Sequence, residues 1–340
     1  MDQGRMKMKQ PEYSGASWAV HNSDCIEGMW AMPENSIDCA IFSPPFGDLF
    51  VYSDSERDLG NAGTGESFIN QYSFFADALT RVMRRGRMVC VHCTDLPMRK
   101  GKDGAIGLKD FSGDLIRAHT DAGLVYHGRA TIWKDPVVEM QRTKAHGLLY
   151  KNIRGDSSNN RVGMPDYMLF FRKPHDRADE TFSPVQHAAP DDEKTAIKIA
   201  TQWLRELRHN GLCADVPDDA ALKVLMDDAK FDVYEWQKLA SPVWMDINQG
   251  NVLRRVKAVN DEKHVCPLQL DTIAKCLRLY TKPGDVVMDP FNGIGSTGYE
   301  AVKMTRRYLG FELKPEYAAQ ANVNLQDAAK INNDLFSGAA

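Results

Sequence analysis

Val286-Val287-Met288-Asp289-Pro290-Phe291-Asn292-Gly293-Ile294-Gly295-Ser296-Thr297-Gly298 is the stretch from which the rest of the chain can be read. An apolar strand ends in a carboxylate, a loop with two glycines follows, and a helix opens on Ser and Thr. Glycines at such a turn adopt backbone conformations closed to other residues and let a ligand approach main-chain N–H groups. The helix N-terminus favours an anionic group such as a carboxylate. The pattern is that of nucleotide-type cofactor loops, without the third glycine of the dinucleotide fingerprint and without the lysine of a phosphate loop. Soon after comes Tyr308-Leu309-Gly310-Phe311, a second strand that ends in Glu312. A carboxylate at that tip can accept both hydroxyl protons of a ribose diol. A plain β-α-β unit with a turn glycine would carry the same letters, and the remaining elements decide between the two.

Outward from this unit, short apolar runs alternate with helical patterns, as in a mainly parallel sheet covered on both faces. Candidate strands are residues 17–21, 37–42, 87–92, 129–133, 167–171, 286–288 and 308–311. Candidate helices are 67–85, with Phe68, Tyr72, Phe75 and Leu79 at helical spacing, then 111–122, 268–280 and 297–303. The expected fold is α/β: a doubly wound, mostly parallel seven-stranded sheet, Rossmann-like, with a helical insertion. Two regions break the alternation. Residues 48–66 form a polar loop with Gly60, Gly63 and Gly65, longer than loops in compact domains usually are. Residues 176–240 read as an acidic insertion, with helices over 193–208 and 220–239 around a turn at Val216-Pro217-Asp218. The expected division is therefore 1–175 with 241–330 as the catalytic domain, 176–240 as the insertion, and 331–340 as a polar, frayed tail.

The second chemistry-bearing stretch is Ile37-Asp38-Cys39-Ala40-Ile41-Phe42-Ser43-Pro44-Pro45-Phe46. Consecutive prolines hold the backbone extended and have no N–H, so nearby carbonyls stay available as fixed acceptors. A hydroxyl and a carbonyl aimed at one point can orient an amine, and an adjacent ring can stack on a flat base. A rigid strand exit with a core phenylalanine is the structural alternative.

Composition narrows the class. The chain of 340 residues is long enough for one large α/β domain with an insertion, or for two domains, without staples or metal. No apolar run approaches the roughly 20 residues of a membrane span, and the first ten residues lack the apolar core of a secretion signal. A cytoplasmic protein with no membrane role is expected. Cys90 and Cys93 have C-x-x-C spacing, yet no second pair lies at zinc-site distance, so both are read as core residues. The net charge of −4 hides an asymmetry: residues 81–173 hold 18 Lys/Arg against 9 Asp/Glu, and residues 176–250 hold 8 against 15. One part of the molecule is thereby suited to a polyanion and another is not.

Together these stretches resemble the DNA amino-methyltransferases. Ser43-Pro44-Pro45-Phe46 looks like their catalytic motif, and Asp289-Pro290-Phe291-x-Gly293-x-Gly295 like their cofactor loop. Catalytic motif first and cofactor loop last is similar to the β-group of that family. Supporting stretches are Asn22-Ser23-Asp24-Cys25, Pro33 to Asp38, Trp133-Lys134 and Lys263-His264. The resemblance covers about residues 20–172 and 243–325.

It implies an enzyme that transfers a methyl group from S-adenosylmethionine to the exocyclic amine of a flipped base in double-stranded DNA. Ser43 and the Pro44 carbonyl would bind the target amine, with Pro45 stiffening the turn and Phe46 stacked on the base. Asp289, Pro290, Phe291, Gly293, Gly295 and Thr297 would form the methionine end of the cofactor site, and Glu312 would hold the ribose. Asp24 and Cys25 would sit near the adenine, His264 near the methionine end. Ser at the first motif position is more usual for cytosine-N4 enzymes, so cytosine N4 is favoured over adenine N6. No metal is implied. Phosphate contacts are expected from Arg99, Lys100, Lys102, Arg142, Lys144, Lys151, Arg154 and Arg161. The acidic insertion would serve as a dimerisation or partner surface, or as a lid. A homodimer and a cognate restriction nuclease are left open. The alternatives are an RNA or protein-glutamine methyltransferase, whose motif usually begins with Asn and follows the cofactor loop, and a silent nucleic-acid-binding module of the same fold.

Overall fold

The apolar runs pair into one large sheet. A computed structural model describes residues 8–45, 66–98, 100–105, 107–143, 148–159, 162–175, 184–254 and 267–337. The first half contains β1 (Tyr13–Ser14), β2 (Trp18–Asn22), α1 (Cys25–Ala31), β3 (Ile37–Phe42), α2 (Glu66–Val82) and β4 (Met83–Cys93). There follow β5 (Leu96–Pro97), α3 (Lys100–Asp103), β6 (Leu108–Lys109), α4 (Phe111–Asp121), β7 (Val125–Ile132), α5 (Pro136–Thr143) and β8 (Asp166–Arg172). Then come α6 (Glu193–His209), α7 (Asp218–Ala229), α8 (Val233–Leu239) and β9 (Val243–Trp244). The chain closes with α9 (Leu270–Tyr280), β10 (Val286–Asp289), α10 (Ser296–Lys303), β11 (Arg307–Glu312) and α11 (Pro315–Ser337).

The sheet order is β1-β2-β11-β10-β3-β4-β8-β7-β9. From β2 to β4 all neighbours are parallel, whereas β8 runs antiparallel to both β4 and β7. All seven expected strands are present, and β1 and β9 extend the two edges as two-residue strands. Both faces are covered, which is why the strands read as continuous apolar runs. One face packs Ala40, Phe42, Val89, Val91 and Phe171 against side chains of α1, α2 and α4. The other packs Cys39, Ile41, Cys90, Phe170 and Val287 against α9, α10 and α11. Period-two alternation along β4 sends Cys90 and Cys93 to opposite faces, both fully buried, so the pair shares no site.

Three expectations are corrected. Residues 220–239 are two helices, not one: α7 ends at Ala229 and Asp232 caps α8 by accepting from the Glu235 N–H at 2.6 Å. The break lets Phe231 N–H donate to the Ala188 carbonyl at 3.0 Å, tying the first part of the insertion to its last. Second, the chain is not a frayed tail from residue 331, because α11 continues to Ser337 and buries Phe336 in the core of α6 and α7. Third, the described part of the insertion, residues 184–240, does not cover the Asp289 loop. Lys282 pairs with Glu206, Arg306 donates to Asp228 at 2.8 Å, and Arg278 bonds Asp228 at 3.0 Å and Glu235 at 2.6 Å. Lys282 precedes β10 and Arg306 precedes β11, so the described part of the insertion docks at the end of the sheet opposite the loop and does not lie over it as a lid. No described helix is long and apolar enough to cross a membrane.

Candidate active site

In an open α/β sheet, ligands collect beyond the carboxyl ends of the parallel strands. Four such ends carry the residues in question: β2 (Asp24, Cys25), β3 (Ser43), β10 (Asp289) and β11 (Glu312). Strand order makes β10 the neighbour of both β3 and β11, with Val287 opposite Cys39 and Met288 opposite Ala40. The Ser43 turn and the Asp289 loop, far apart in sequence, are thereby adjacent. The Thr297 hydroxyl, 1% exposed, locks them together by donating to the Ile41 carbonyl at 3.2 Å. Phe291 packs on Phe75 with ring centroids 4.8 Å apart and on Phe42 at 5.7 Å, anchoring the loop in the α2 side of the core.

The loop glycines are required by backbone shape more than by access to their N–H groups. Gly293 and Gly295 have φ of 51° and 84°, in the left-handed region. Their N–H groups are already engaged: Gly293 donates to Glu312 Oε2 at 2.7 Å and Gly295 to the Asn292 carbonyl at 2.8 Å. A β-carbon on Gly295 would also lie 3.0 Å from Ala321 Cβ. Pro290 continues the turn from β10, within the buried part of the loop.

Glu312 couples the two strand tips, since its Oε1 also accepts from Lys314 N–H at 2.9 Å. Beside it, Asn22 donates to the Glu312 and Leu313 carbonyls at 2.8 and 3.0 Å, which brings the end of β2 to the end of β11. Asp24 caps α1 through Glu27 N–H at 2.9 Å, and the buried Cys25 follows it. Burial first, and then the neighbouring Asp24 and Glu312 charges, hold the Cys25 thiol protonated. Asp289 is 5% exposed, and burial pushes its carboxyl up from 3.8 to about 7 against the opposing hydrogen bonds of Phe291 N–H and Thr297.

At the tip of β3, Ser43 is half-buried and meets a cluster that sequence reasoning missed. Its Oγ lies 3.3 Å from His92 Nδ1 and 3.4 Å from the His92 carbonyl. On the far side of that ring, His92 Nε2 is 3.3 Å from Asp166 Oδ2, off the line of an ideal hydrogen bond, and Lys134 Nζ pairs with Asp166 Oδ1. His92 and Asp166 are buried at 8% and 3% exposure. Burial opposes the charge on Asp166, but His92 and Lys134 together hold its carboxyl below the ordinary value. A histidine at the carboxyl end of a parallel strand was the available signal for His92. Asp166 had none, because only the antiparallel course of β8 brings its first residue to this end.

Pro44 and Pro45 leave β3 at the same end, while Phe46, His264, Arg99, Lys144 and Arg161 lie outside the described residues. Lys100 and Lys102 fall on α3 and Arg142 on α5. Lys151 and Arg154 are exposed on a 3-10 turn, Tyr150–Arg154, alternating with exposed Tyr150 and Ile153. The excursion that holds α5 and this turn leaves β7 and returns to β8 at the end of the sheet where Ser43 stands.

The DNA methylase family model matches residues 37–323. Type II methyltransferase M.Cfr9I of Citrobacter freundii is 41% identical over 325 residues, covering 93% of this chain and 89% of that protein. The likeness to Type II methyltransferase M.XycI of Xanthomonas campestris pv. cyanopsidis is local, 33% over 100 residues, so that the chain spans 32% of that protein and 27% of its own length. Among solved structures, a DNA modification methylase of Thermus thermophilus complexed with S-adenosyl-L-methionine shares the fold, with a TM-score of 0.57 at 17% identity over 91% of this chain and 93% of that one. With the family matched from β3 into α11, the chain belongs to the N6/N4 DNA methylase family and is an S-adenosylmethionine-dependent DNA methyltransferase.

Proposed function

We propose that this enzyme methylates cytosine N4 in a base extruded from double-stranded DNA, with Ser43 and the Pro44 carbonyl receiving the target amine. The observation that carries the reading is Ser43 itself: a serine, not a carboxylate, stands at the tip of β3, one strand away from the cofactor loop. The amine's lone pair is delocalised into the ring, and two acceptors drawing on its N–H groups favour a pyramidal nitrogen whose lone pair is free. S-adenosylmethionine supplies an electrophilic methyl group whose bonding pair stays with sulfur as the nitrogen lone pair takes the carbon, leaving a nitrogen that must shed one proton. Holding the amine in line is the protein's main contribution, for which effective molarities supply roughly 7–11 kcal/mol. Extruding the base costs a few kcal/mol, which stacking on the ring of Phe46 would help offset. Lys151 and Arg154, with Arg99, Lys100, Lys102, Arg142, Lys144 and Arg161, are assigned to phosphate contacts. Sequencing DNA methylated by the protein, with readouts for both N4-methylcytosine and N6-methyladenine, should find the former in one fixed context. Adenine methylation alone would sink the choice of base.

The residues at the strand tips fit the cofactor. Among the described residues no cationic side chain is paired with Asp289, a carboxyl buried without an opposing charge, and a ligand bearing an ammonium and a sulfonium would provide one. Ionisation of Asp289 should then be linked to binding. Below about 7 the carboxyl must lose its proton before it can face a cation, so affinity for S-adenosylmethionine should weaken as pH falls through that value. The limiting slope is about tenfold per pH unit for one linked proton. Asp289→Asn should bind more weakly and without this slope. Calorimetric titrations from one unit above to one unit below that value decide it, and a flat profile for the parent protein would remove Asp289 from the cofactor site.

A further inference from the structure

Ser43 has one proton and must place it somewhere. If that proton pointed at the target amine, Oγ would be a donor facing donors. Two acceptors stand behind it, the His92 ring at Nδ1 and the His92 main-chain carbonyl. Which role Nδ1 plays depends on the tautomer, and the opposite nitrogen bears on that: Nε2 lies 3.3 Å from the carboxylate of Asp166, off the line of an ideal hydrogen bond, and that carboxylate is itself held by Lys134. A carboxylate opposite Nε2 favours the proton there and leaves Nδ1 with a lone pair. The other charged groups on the packed elements, Asp95, Asp110 and Arg129, act on Cys93 and Tyr167 beside this cluster.

We propose that His92 is a positioning residue for methyl transfer: its Nδ1 accepts the Ser43 hydroxyl proton, so that Oγ presents lone pairs to the target amine, and it takes up the proton that the methylated nitrogen sheds. The step balances. As the new N–C bond forms, the nitrogen becomes cationic; its proton passes to Ser43 Oγ while the hydroxyl's own proton moves to His92 Nδ1. The resulting imidazolium faces Asp166, as in a serine–histidine–aspartate array run toward an amine instead of away from a nucleophile. The inference rests on the reading that Ser43 receives the amine.

A double-mutant cycle with a spectroscopic control tests it. In single-turnover assays on saturating DNA and cofactor, His92→Phe should lower the rate roughly 10²-fold, within the range for general acid–base assistance. Ser43→Ala should lower it by roughly 10²–10³-fold, and the double variant should lose no more than the larger single loss, because both act through one hydroxyl. His92→Asn retains an acceptor near the Nδ1 position but cannot take up a proton, and should fall between parent and His92→Phe. In the free protein, 15N shifts of the His92 ring, assigned by difference from His92→Asn, should show Nε2 protonated and Nδ1 bare, with the Nδ1 signal moved by Ser43→Ala. A parental rate in either His92 variant, losses that multiply in the double variant, or a proton on Nδ1 would each overturn the proposal. Should Ser43→Ala itself run at the parental rate, it is the amine-binding role of Ser43 that fails, and the two failures are thus told apart.

Discussion

Arg87→Met should destabilise the protein by about 3–5 kcal/mol, the range for removing one partner of a buried ion pair. Arg87 is 4% exposed at the foot of β4, between Asp38 of β3 and Asp285 just before β10. Its guanidinium lies 3.1 Å from Asp38 Oδ1 and pairs with Asp285, while Arg84 reaches Asp38 at 2.9 Å from the more exposed side. Asp38 Oδ2 also accepts from Val286 N–H at 2.8 Å, so the cluster fixes where β10 enters the sheet. Without Arg87, two carboxylates face one another in a dry site. Burial first, and then Asp38, already push the Asp285 carboxyl up from 3.8 to about 6 in spite of Arg87. A carboxyl raised in the folded state stabilises fully below its unfolded value, and that contribution is lost as pH rises through the folded one. In the variant the window extends upward, so the deficit should be smaller near pH 5 than above pH 7, as about one proton neutralises the pair. Urea unfolding at both pH values measures it. An unchanged midpoint would mean that the cluster is solvated and contributes little.

Ser43→Ala should reduce the single-turnover rate by roughly 10²–10³-fold, the loss typical when one fixed hydrogen-bonding group is removed from a transition state. Affinity for S-adenosylmethionine should stay nearly constant. The cofactor loop is tied to β3 by the Ile41 carbonyl and Thr297, which the substitution leaves in place. Stability should also change little, because Ser43 is only half-buried and its bonds to His92 are long, at 3.3 and 3.4 Å. A loss in kcat/KM that appears equally in kcat marks an interaction made in the transition state, and a rise in KM alone marks ordinary binding. If Ser43→Ala melted well below the parent and lost cofactor binding together with activity, the turn would be scaffold and the catalytic assignment would go.

Local sequence was enough for the elements and for the two motifs. Runs such as residues 286–288 and 39–42 are apolar at every position, so they read as strands buried on both sides, and the sheet buries them on both. Gly293 and Gly295 could be marked as turn residues because few other residues take positive φ. Their purpose was read less well: the Gly293 N–H serves the Glu312 carboxylate, a pairing set by how β11 lies beside β10, and the Gly295 N–H serves the Asn292 carbonyl within the turn. Strand direction and order are long-range quantities that no window of residues encodes. The reversal of β8 is what carries Asp166 to the catalytic end and completes the contact with His92. The placement of residues 188–240 was equally illegible. Acidity and helical periodicity describe a surface, but the docking site depends on Arg278, Lys282 and Arg306, which read in sequence as ordinary basic residues. Which segments become strands, which loops carry chemistry and in what order they come are all written in the chain, because apolar patterning and turn chemistry are local. Which buried polar groups stand behind Ser43, and which end of the sheet the insertion covers, emerge on folding alone, because both follow from pairing between residues far apart in the chain.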